Sequence, residues 1–260
     1  MPGTPQALRS ALLRNEQTRR KLEREERLAI QGSLAALRQA IQQSLRGFDI
    51  WDASTLPSMQ NAVRQALARW GAQTRGQMGG WSDDAWAAGT LAARDQFQAI
   101  TGIAQAGIML TPADQLKKDM LTGLAADLIQ DVSDDAIKRI VNTLSLSVLG
   151  NKTNLQAMRD IDKVFGNKQK GITYRAERIA RTELSRAYNV GNHAANEQAV
   201  QAAPELRKRW VKTMDGRVRP DHLAAHGQER KIDEPFDVGG AKLMFPLDPA
   251  GPAEQTIGCR

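Results

Sequence analysis

His222 and His226 stand four residues apart, a spacing that puts both imidazoles on one face if the stretch is helical. Asp215 lies seven residues before His222, and Cys259 is the sole cysteine of the chain. Two of the three histidines and the only thiol therefore share the last stretch of the chain. His, His, Cys and Asp are zinc-type donors, and a small loop-rich module short of a core is one that a metal staple can hold together. The same residues also admit an internal reading. His222 and Asp215 would hydrogen-bond nearby turns, and Cys259 would pack as a small apolar group.

A second polar group falls on a helical stretch: Arg178, Arg181, Thr182, Glu183 and Arg186. Residues three and four apart are neighbours on a helix, so Arg178 meets Thr182 and Glu183 meets Arg186. The expected role is a polar network that ties this helix to the tail that follows. Asp215, Arg217 and Arg219 are expected to fix a turn through charge-assisted hydrogen bonds. No Ser/His/Asp order, phosphate-cradling glycine loop or paired-carboxylate arrangement stands out, so no catalytic residue is assigned and the expectation is a non-enzyme.

Charge points to a different kind of partner. The chain has 260 residues and a net charge of +7, unevenly spread. Residues 1–47 carry 9 Lys and Arg against 4 acids, and residues 170–231 carry 13 against 7. The intervening 48–169 is close to neutral at 12 against 13, and residues 232–260 are acidic at 2 against 5. Basic blocks of this kind bind polyanions by releasing counterions. The candidate DNA contacts are Arg19, Arg20, Lys21, Lys168, Lys170, Arg207, Lys208 and Arg209.

The elements that must position these residues are mostly helical. Hydrophobic residues make up 41% and aromatics only 5%, with Ala and Leu prominent, a composition that favours helices over a β-sandwich. One cysteine excludes an internal disulfide framework and agrees with folding in a reducing cytoplasm. No apolar run approaches a membrane span, and the charged first 30 residues do not read as a secretory signal.

Residues 5–46 read as one long helix, with Ile30, Leu34, Leu37, Ile41 and Leu45 forming an apolar stripe. Arg14 to Arg27 is polar all round and is expected to project as an extended arm. Further helices are expected from Asp52 to about Arg75 and, after a Gly79-Gly80 break, from an N-cap at Ser82 to about Ala106. Thr111-Pro112 opens another, carrying Leu116, Met120, Leu124 and Leu128. Ser133-Asp134-Asp135 opens the next, with Ile137, Ile140, Val141 and Leu144 on its face. A short helix runs from Thr153 or Asn154 to near Phe165-Gly166, followed by a basic loop with Lys168 and Lys170. Residues 173–202 are again helical. Beyond Pro204 lie a β-like run at Trp210-Val211, a turn at Asp215-Gly216 and a Pro- and Gly-rich tail. The expected fold is mainly α: a long N-terminal helix and a helical bundle, with a small loop-rich α+β C-terminal module. The expected divisions are 1–47 as a basic helical arm, 48–171 as a helical region and 172–260 as the terminal module.

Two stretches carry a resemblance. One is Arg175–Asn189, with Ala180-Arg181-Thr182-Glu183 at its centre. The other runs from Trp210 through Asp215, Arg217, Arg219 and His222 to Gly227-Gln228, Glu234-Pro235-Phe236, Gly239-Gly240, Phe245-Pro246 and Ile257-Gly258-Cys259-Arg260. Together, over about 172–260, they resemble the phage Mu F-like minor head proteins, the family of phage head morphogenesis proteins. That resemblance implies structural motif roles for Arg181, Thr182, Glu183, Trp210, Asp215, Arg217, Arg219 and His222. It departs from the family pattern at His226-Gly227, where Asp-Gly is common, and at Gly258-Cys259-Arg260, where the family has Asn-Cys-Arg-Cys. At the second departure, either the natural chain continues past Arg260 or the second Cys of the family pattern is absent, and the zinc candidates are His222, His226, Cys259 and Asp215.

The resemblance implies a minor head protein of a tailed bacteriophage, acting at the portal vertex. Its partners would be the portal protein, other head proteins or scaffold, and packaged double-stranded DNA. Its place would be the virion, in the head interior or at the portal vertex, and the host cytoplasm during assembly, with no membrane partner. Two alternatives are a metal-dependent hydrolase or nuclease-like toxin built on the His/Cys/Asp cluster, and a free nucleic-acid-binding helical protein.

Overall fold

The computed structural model describes residues 4–104, 111–166, 168–212 and 218–257. Five helices come first: α1 Pro5–Arg46, α2 Leu56–Thr101, α3 Pro112–Val148, α4 Asn154–Val164 and α5 Ile172–Ala199. A tail of short elements follows: β1 Arg207–Arg209, α6 Pro220–Ala224, β2 Glu229–Lys231, β3 Phe236–Val238, β4 Ala241–Leu243 and α7 Ala253–Thr256. The fold is mainly α with a loop-rich α+β tail. No helix among the described residues is long and apolar enough to cross a membrane.

The chain divides into two compact units. The first holds residues 1–24, 80–122 and 181–260; the second holds 25–79 and 123–180. Each of α1, α2, α3 and α5 contributes one segment to each unit.

The second unit buries the expected α1 stripe, Ile30, Leu34, Leu37, Ile41 and Leu45. Met59, Val63 and Leu67 of α2, Ile129, Ile140 and Leu144 of α3, and Ile161 of α4 complete its core. Thr153 caps α4 by accepting from the Gln156 backbone N–H, while the Gln156 side chain answers the Thr153 N–H. This reciprocal bond is why the short helix starts there.

Two expected helix boundaries do not occur. α2 runs unbroken through Gly76 and Gly79-Gly80, and Ser82 is a buried mid-helix residue, not a cap. A glycine costs a helix interior about 1 kcal/mol, and the buried Met78, Ala85 and Trp86 on either side outweigh that cost. α3 likewise runs through Ser133, whose hydroxyl donates to the Leu67 carbonyl at 3.0 Å. A Cβ on Gly71 would lie 3.2 Å from that hydroxyl oxygen, so α2 and α3 approach closely where both residues are small. The apolar series expected on α3 also points outward at its start, with Leu116 and Met120 61% and 67% exposed. Steps of four advance about 40° around a helix, so such a series leaves any one face within a few turns. The buried face is instead Leu121, Ala125, Ile129, Val132 and Ala136, whose alanines admit neighbouring helices.

In the first unit, α2 and α5 touch backbone to backbone. A Cβ on Gly89 would sit 2.0 Å from the Tyr188 carbonyl oxygen, and one on Gly191 would sit 2.6 Å from that of Trp86. The Asn192 amide donates to the Gly89 carbonyl at 3.1 Å across the same contact.

The expected projecting arm is packed. Ala11 is fully buried, Asn15 donates to the Ala92 carbonyl at 3.2 Å, and Leu22 joins Ala85, Leu184 and Ala187 in an apolar cluster. Small and short polar residues on one side of a charged helix supply that contact, which hydropathy alone does not register.

The strands pair antiparallel in two ribbons, β1 with β2 and β3 with β4. Gly239 and Gly240, at φ 59° and 84°, turn the second ribbon in the left-handed conformation a tight hairpin requires. The β-like run expected at Trp210-Val211 is not a strand: β1 is Arg207–Arg209 and ends just before Trp210.

Candidate functional site

The motif residues meet in the first unit. On α5, Thr182, Glu183, Ser185 and Arg186 are all buried, while Arg181 is half-buried. Arg186 grips Glu183 through Nη1 at 2.6 and 2.8 Å and donates from Nε to the Leu247 carbonyl at 3.2 Å. One turn on, Asn189 donates to the Pro246 carbonyl at 2.8 Å. These two bonds pin α5 to the Phe245–Asp248 turn, where Leu247 adopts a left-handed φ of 64°. Burial raises the Glu183 carboxyl above its usual range, and Arg186 opposes that rise. On the opposite side, the Ser185 hydroxyl donates to Glu23 of α1 at 3.0 Å.

Phe245 packs against the cluster of Trp86, Leu121, Val190 and Ala194, and its ring lies 4.9 Å from that of His193. Burial, with help from Lys208 and Lys117, lowers the His193 pKa to about 4. The imidazole is therefore neutral at neutral pH. The Asp248 carboxylate closes the turn by accepting from the Met244 and Ala250 backbone N–H groups at 2.7 and 2.9 Å.

Trp210 centres the tail's core with Ala225, Phe236, Val238 and Leu243. Its ring meets His222 and Phe236 edge to face, at 5.7 and 5.3 Å between centroids. His222, on α6, donates from Nε2 to Gln255 of α7 at 3.2 Å, and Gln255 in turn donates to Asp221 at 2.8 Å. Burial lowers the His222 pKa against the pull of the Gln255 bond. Gly239 lies over this chain of bonds, since a Cβ there would come 2.5 Å from an Asp221 carboxylate oxygen. Arg219 donates to the Glu254 carbonyl and, at 2.7 Å, to that of Ile257, so it holds the end of α7. The Gln228 side chain donates to the Asp237 carbonyl at 2.7 Å and accepts its N–H at 3.1 Å, acting as a stand-in for a strand neighbour.

His226, past the end of α6, is exposed, and its ring accepts from the Lys212 N–H at 3.4 Å. His222 and His226 thus have separate partners. Asp215, Arg217 and Cys259, with the expected Asp215-Gly216 turn, lie outside the described residues. Among the described residues no three His, Cys, Asp or Glu side chains come together as a metal site.

Two of the basic candidates face inward. Arg19 is held by Glu23 at 2.6 Å and Glu16 at 2.9 Å, and these carboxylates outweigh burial to keep its pKa raised. Lys208 points to the inner side of β1. Its ammonium donates to the Ile232 and Met244 carbonyls, both at 2.8 Å, and sits 5.2 Å from the Phe236 ring centre. Burial lowers its pKa to about 8. Neither group is presented to a polyanion. Alternation along a strand accounts for Lys208, because Arg207 and Arg209 then face out. Arg209 pairs with Glu229 across the ribbon. Arg20 is exposed and touches Glu16 at 2.7 Å, while Lys21, Lys168 and Lys170 are exposed.

Sequence reasoning missed Asn189, Asp248, Gln255 and Asp221 as fasteners of the tail. Asp248 between two prolines was the one local signal, because Asp caps turns readily. The Gln255 partnership spans 33 residues and has no local signature.

Deeply buried polar groups committed to one another and to backbone carbonyls define a structural module that locks a helix to a small tail. Residues 139–260, a little under half of the chain, match the family of phage Mu protein F like proteins. The chain is also similar to an NAD(+)–arginine ADP-ribosyltransferase EFV of Enterococcus faecalis, at 27% identity over 128 residues. That stretch is 49% of this chain and 25% of the relative, so the chain matches about a quarter of the relative's length. No solved structure matches the chain.

Proposed function

We propose that the chain is a minor head protein of a tailed bacteriophage, working in head morphogenesis at the portal vertex and touching packaged double-stranded DNA. The observation that carries this reading is the family match over residues 139–260, which contains the whole α5–tail fastening. The motif residues Glu183, Arg186, Arg219 and His222 are spent on internal bonds. Groups arranged in this way keep a shape; they do not turn over a substrate. The partners are the portal protein and other head components, in the virion and, during assembly, in the host cytoplasm. Of the basic candidates, Arg20, Lys21, Lys168, Lys170, Arg207 and Arg209 are exposed, and Arg20 and Arg209 are already paired with Glu16 and Glu229. His222 and His226 serve as structural groups and not as zinc ligands in this reading.

Co-expression with the portal protein, followed by mass measurement of the purified oligomer, tests the reading. The expected result is a complex of defined ratio, with the chain also present in purified particles. Its absence from particles overturns the reading. The similarity to an ADP-ribosyltransferase raises an enzymatic alternative, and an NAD⁺ consumption assay with an arginine-containing acceptor separates the two. No turnover above buffer is expected.

A further inference from the structure

We propose that a cationic patch on the second unit, formed by the turn at 168–171 together with neighbouring residues of α3 and α5, is the surface that contacts the duplex phosphate backbone; this rests on the head-protein reading. Lys168, Gln169 and Lys170 are exposed, and the Gly171 N–H closes the turn on the Lys168 carbonyl at 2.7 Å. Gly171 is pressed onto Gly166, whose carbonyl oxygen would lie 1.6 Å from an added Cβ, so this crossing accepts only glycine. From α3, Arg139 donates to the Lys170 carbonyl at 2.6 Å and also reaches Asp135 at 3.5 Å. From α5, Arg175 reaches the same Asp135 oxygen at 2.7 Å. One carboxylate thus anchors two guanidinium groups, and one of these fixes the turn from behind.

The surroundings keep the excess positive. Lys138 precedes Arg139 and is exposed, and Arg178, one turn beyond Arg175, is exposed with its guanidinium 5.9 Å from the Tyr174 ring centre. Residues 131–139 and 168–178 hold six cations against four carboxylates, Asp131, Asp134, Asp135 and Glu177. Asp134 accepts from Gln130 at 2.9 Å and Glu177 from Gln31 at 2.8 Å, so two of the four also have neutral partners.

The chemistry favours phosphate over a protein partner. A protein interface gathers an apolar, aromatic centre inside a polar rim. Here the outward residues are Lys138, Lys168, Gln169, Lys170 and Arg178, charges spread over a turn and two helices. Positions held in place and charges without an apolar anchor suit an evenly spaced polyanion, read without regard to sequence.

The test uses the full chain and a fluorescently labelled duplex of mixed sequence, with anisotropy read across a salt series. The variant Lys168→Gln/Lys170→Gln is compared with the wild type and with Arg207→Gln/Arg209→Gln, which removes the same formal charge elsewhere. Each lost phosphate contact lowers the log–log salt slope by about 1. The lysine variant is therefore expected to lose about two units of slope and at least about tenfold in affinity at moderate salt, while the arginine variant loses much less. Unchanged binding by the lysine variant, an equal loss in both variants, or binding of an acidic protein in preference to the duplex overturns the proposal. Both variants change exposed side chains, and an unchanged melting temperature verifies that each is folded. The head-protein reading is scored separately, by mass spectrometry of particles. A chain present in particles whose lysine variant binds DNA normally sinks this proposal alone, whereas absence from particles sinks the reading beneath it.

Discussion

Glu183 and Arg186 form an ion pair with side chains only 4% and 7% exposed. Removing one partner of such a pair leaves the other charge stranded, at a cost of about 3–5 kcal/mol. Arg186→Leu is therefore expected to lower the melting temperature sharply, and joint replacement by Glu183→Leu/Arg186→Leu to recover part of the loss. If the double variant proves no more stable than Arg186→Leu, the pair is not the fastener. His193 gives a pH prediction. Its pKa falls from 6.5 to about 4 on folding, so the unfolded chain holds the extra proton between those values. The stability from burying the neutral ring is complete above pH 6.5 and is lost as pH drops toward 4, on the order of 3 kcal/mol in all. Phe245, Glu197, Lys208, Lys117 and Asp248 are the groups that face it. Melting curves of wild type and His193→Gln at pH 7.5 and pH 4.5 check this: the wild type's advantage should narrow on acidification.

At the scale of elements, the closest packing is made by glycines. Gly89 and Gly191 let α2 and α5 touch, and Gly191→Ala must push the Trp86 backbone away. Backbone cannot yield as the end of a flexible side chain does, so a loss of about 1–3 kcal/mol is expected. Gly76→Ala is the control, because a Cβ there meets nothing within 4 Å. In a mid-helix position that change should stabilise, by up to about 1 kcal/mol. Thermal denaturation of the two variants should move in opposite directions. The start of α4 was legible because its capping box lies within four residues, and the α1 stripe because its period is helical. The continuity of α2 and α3 was not, since Gly79-Gly80 and Ser133-Asp134-Asp135 are genuine local stop and start signals overruled by burial on both sides.

For the whole molecule, the head-protein reading predicts stability without a metal. Exhaustive chelation is expected to leave the melting temperature unchanged, because His222 is held by Gln255 and Trp210. A drop of several degrees that zinc restores would return His222 and His226 to the ligand list.

The amino-acid order alone specified helical class, the α1 stripe, the start of α4 and the basic balance of the chain. These depend on neighbours within a few residues or on composition, and both can be read along a line. Only the folded chain decided which cations look outward: Arg19 and Lys208 turn inward, while Lys168 and Lys170 stay on the surface. Only folding recruited Gln255, Asp221 and Asn189 as fasteners. A charge's availability depends on what the rest of the chain brings against it, and carboxylates, carbonyls and rings from distant segments arrive only when the core closes.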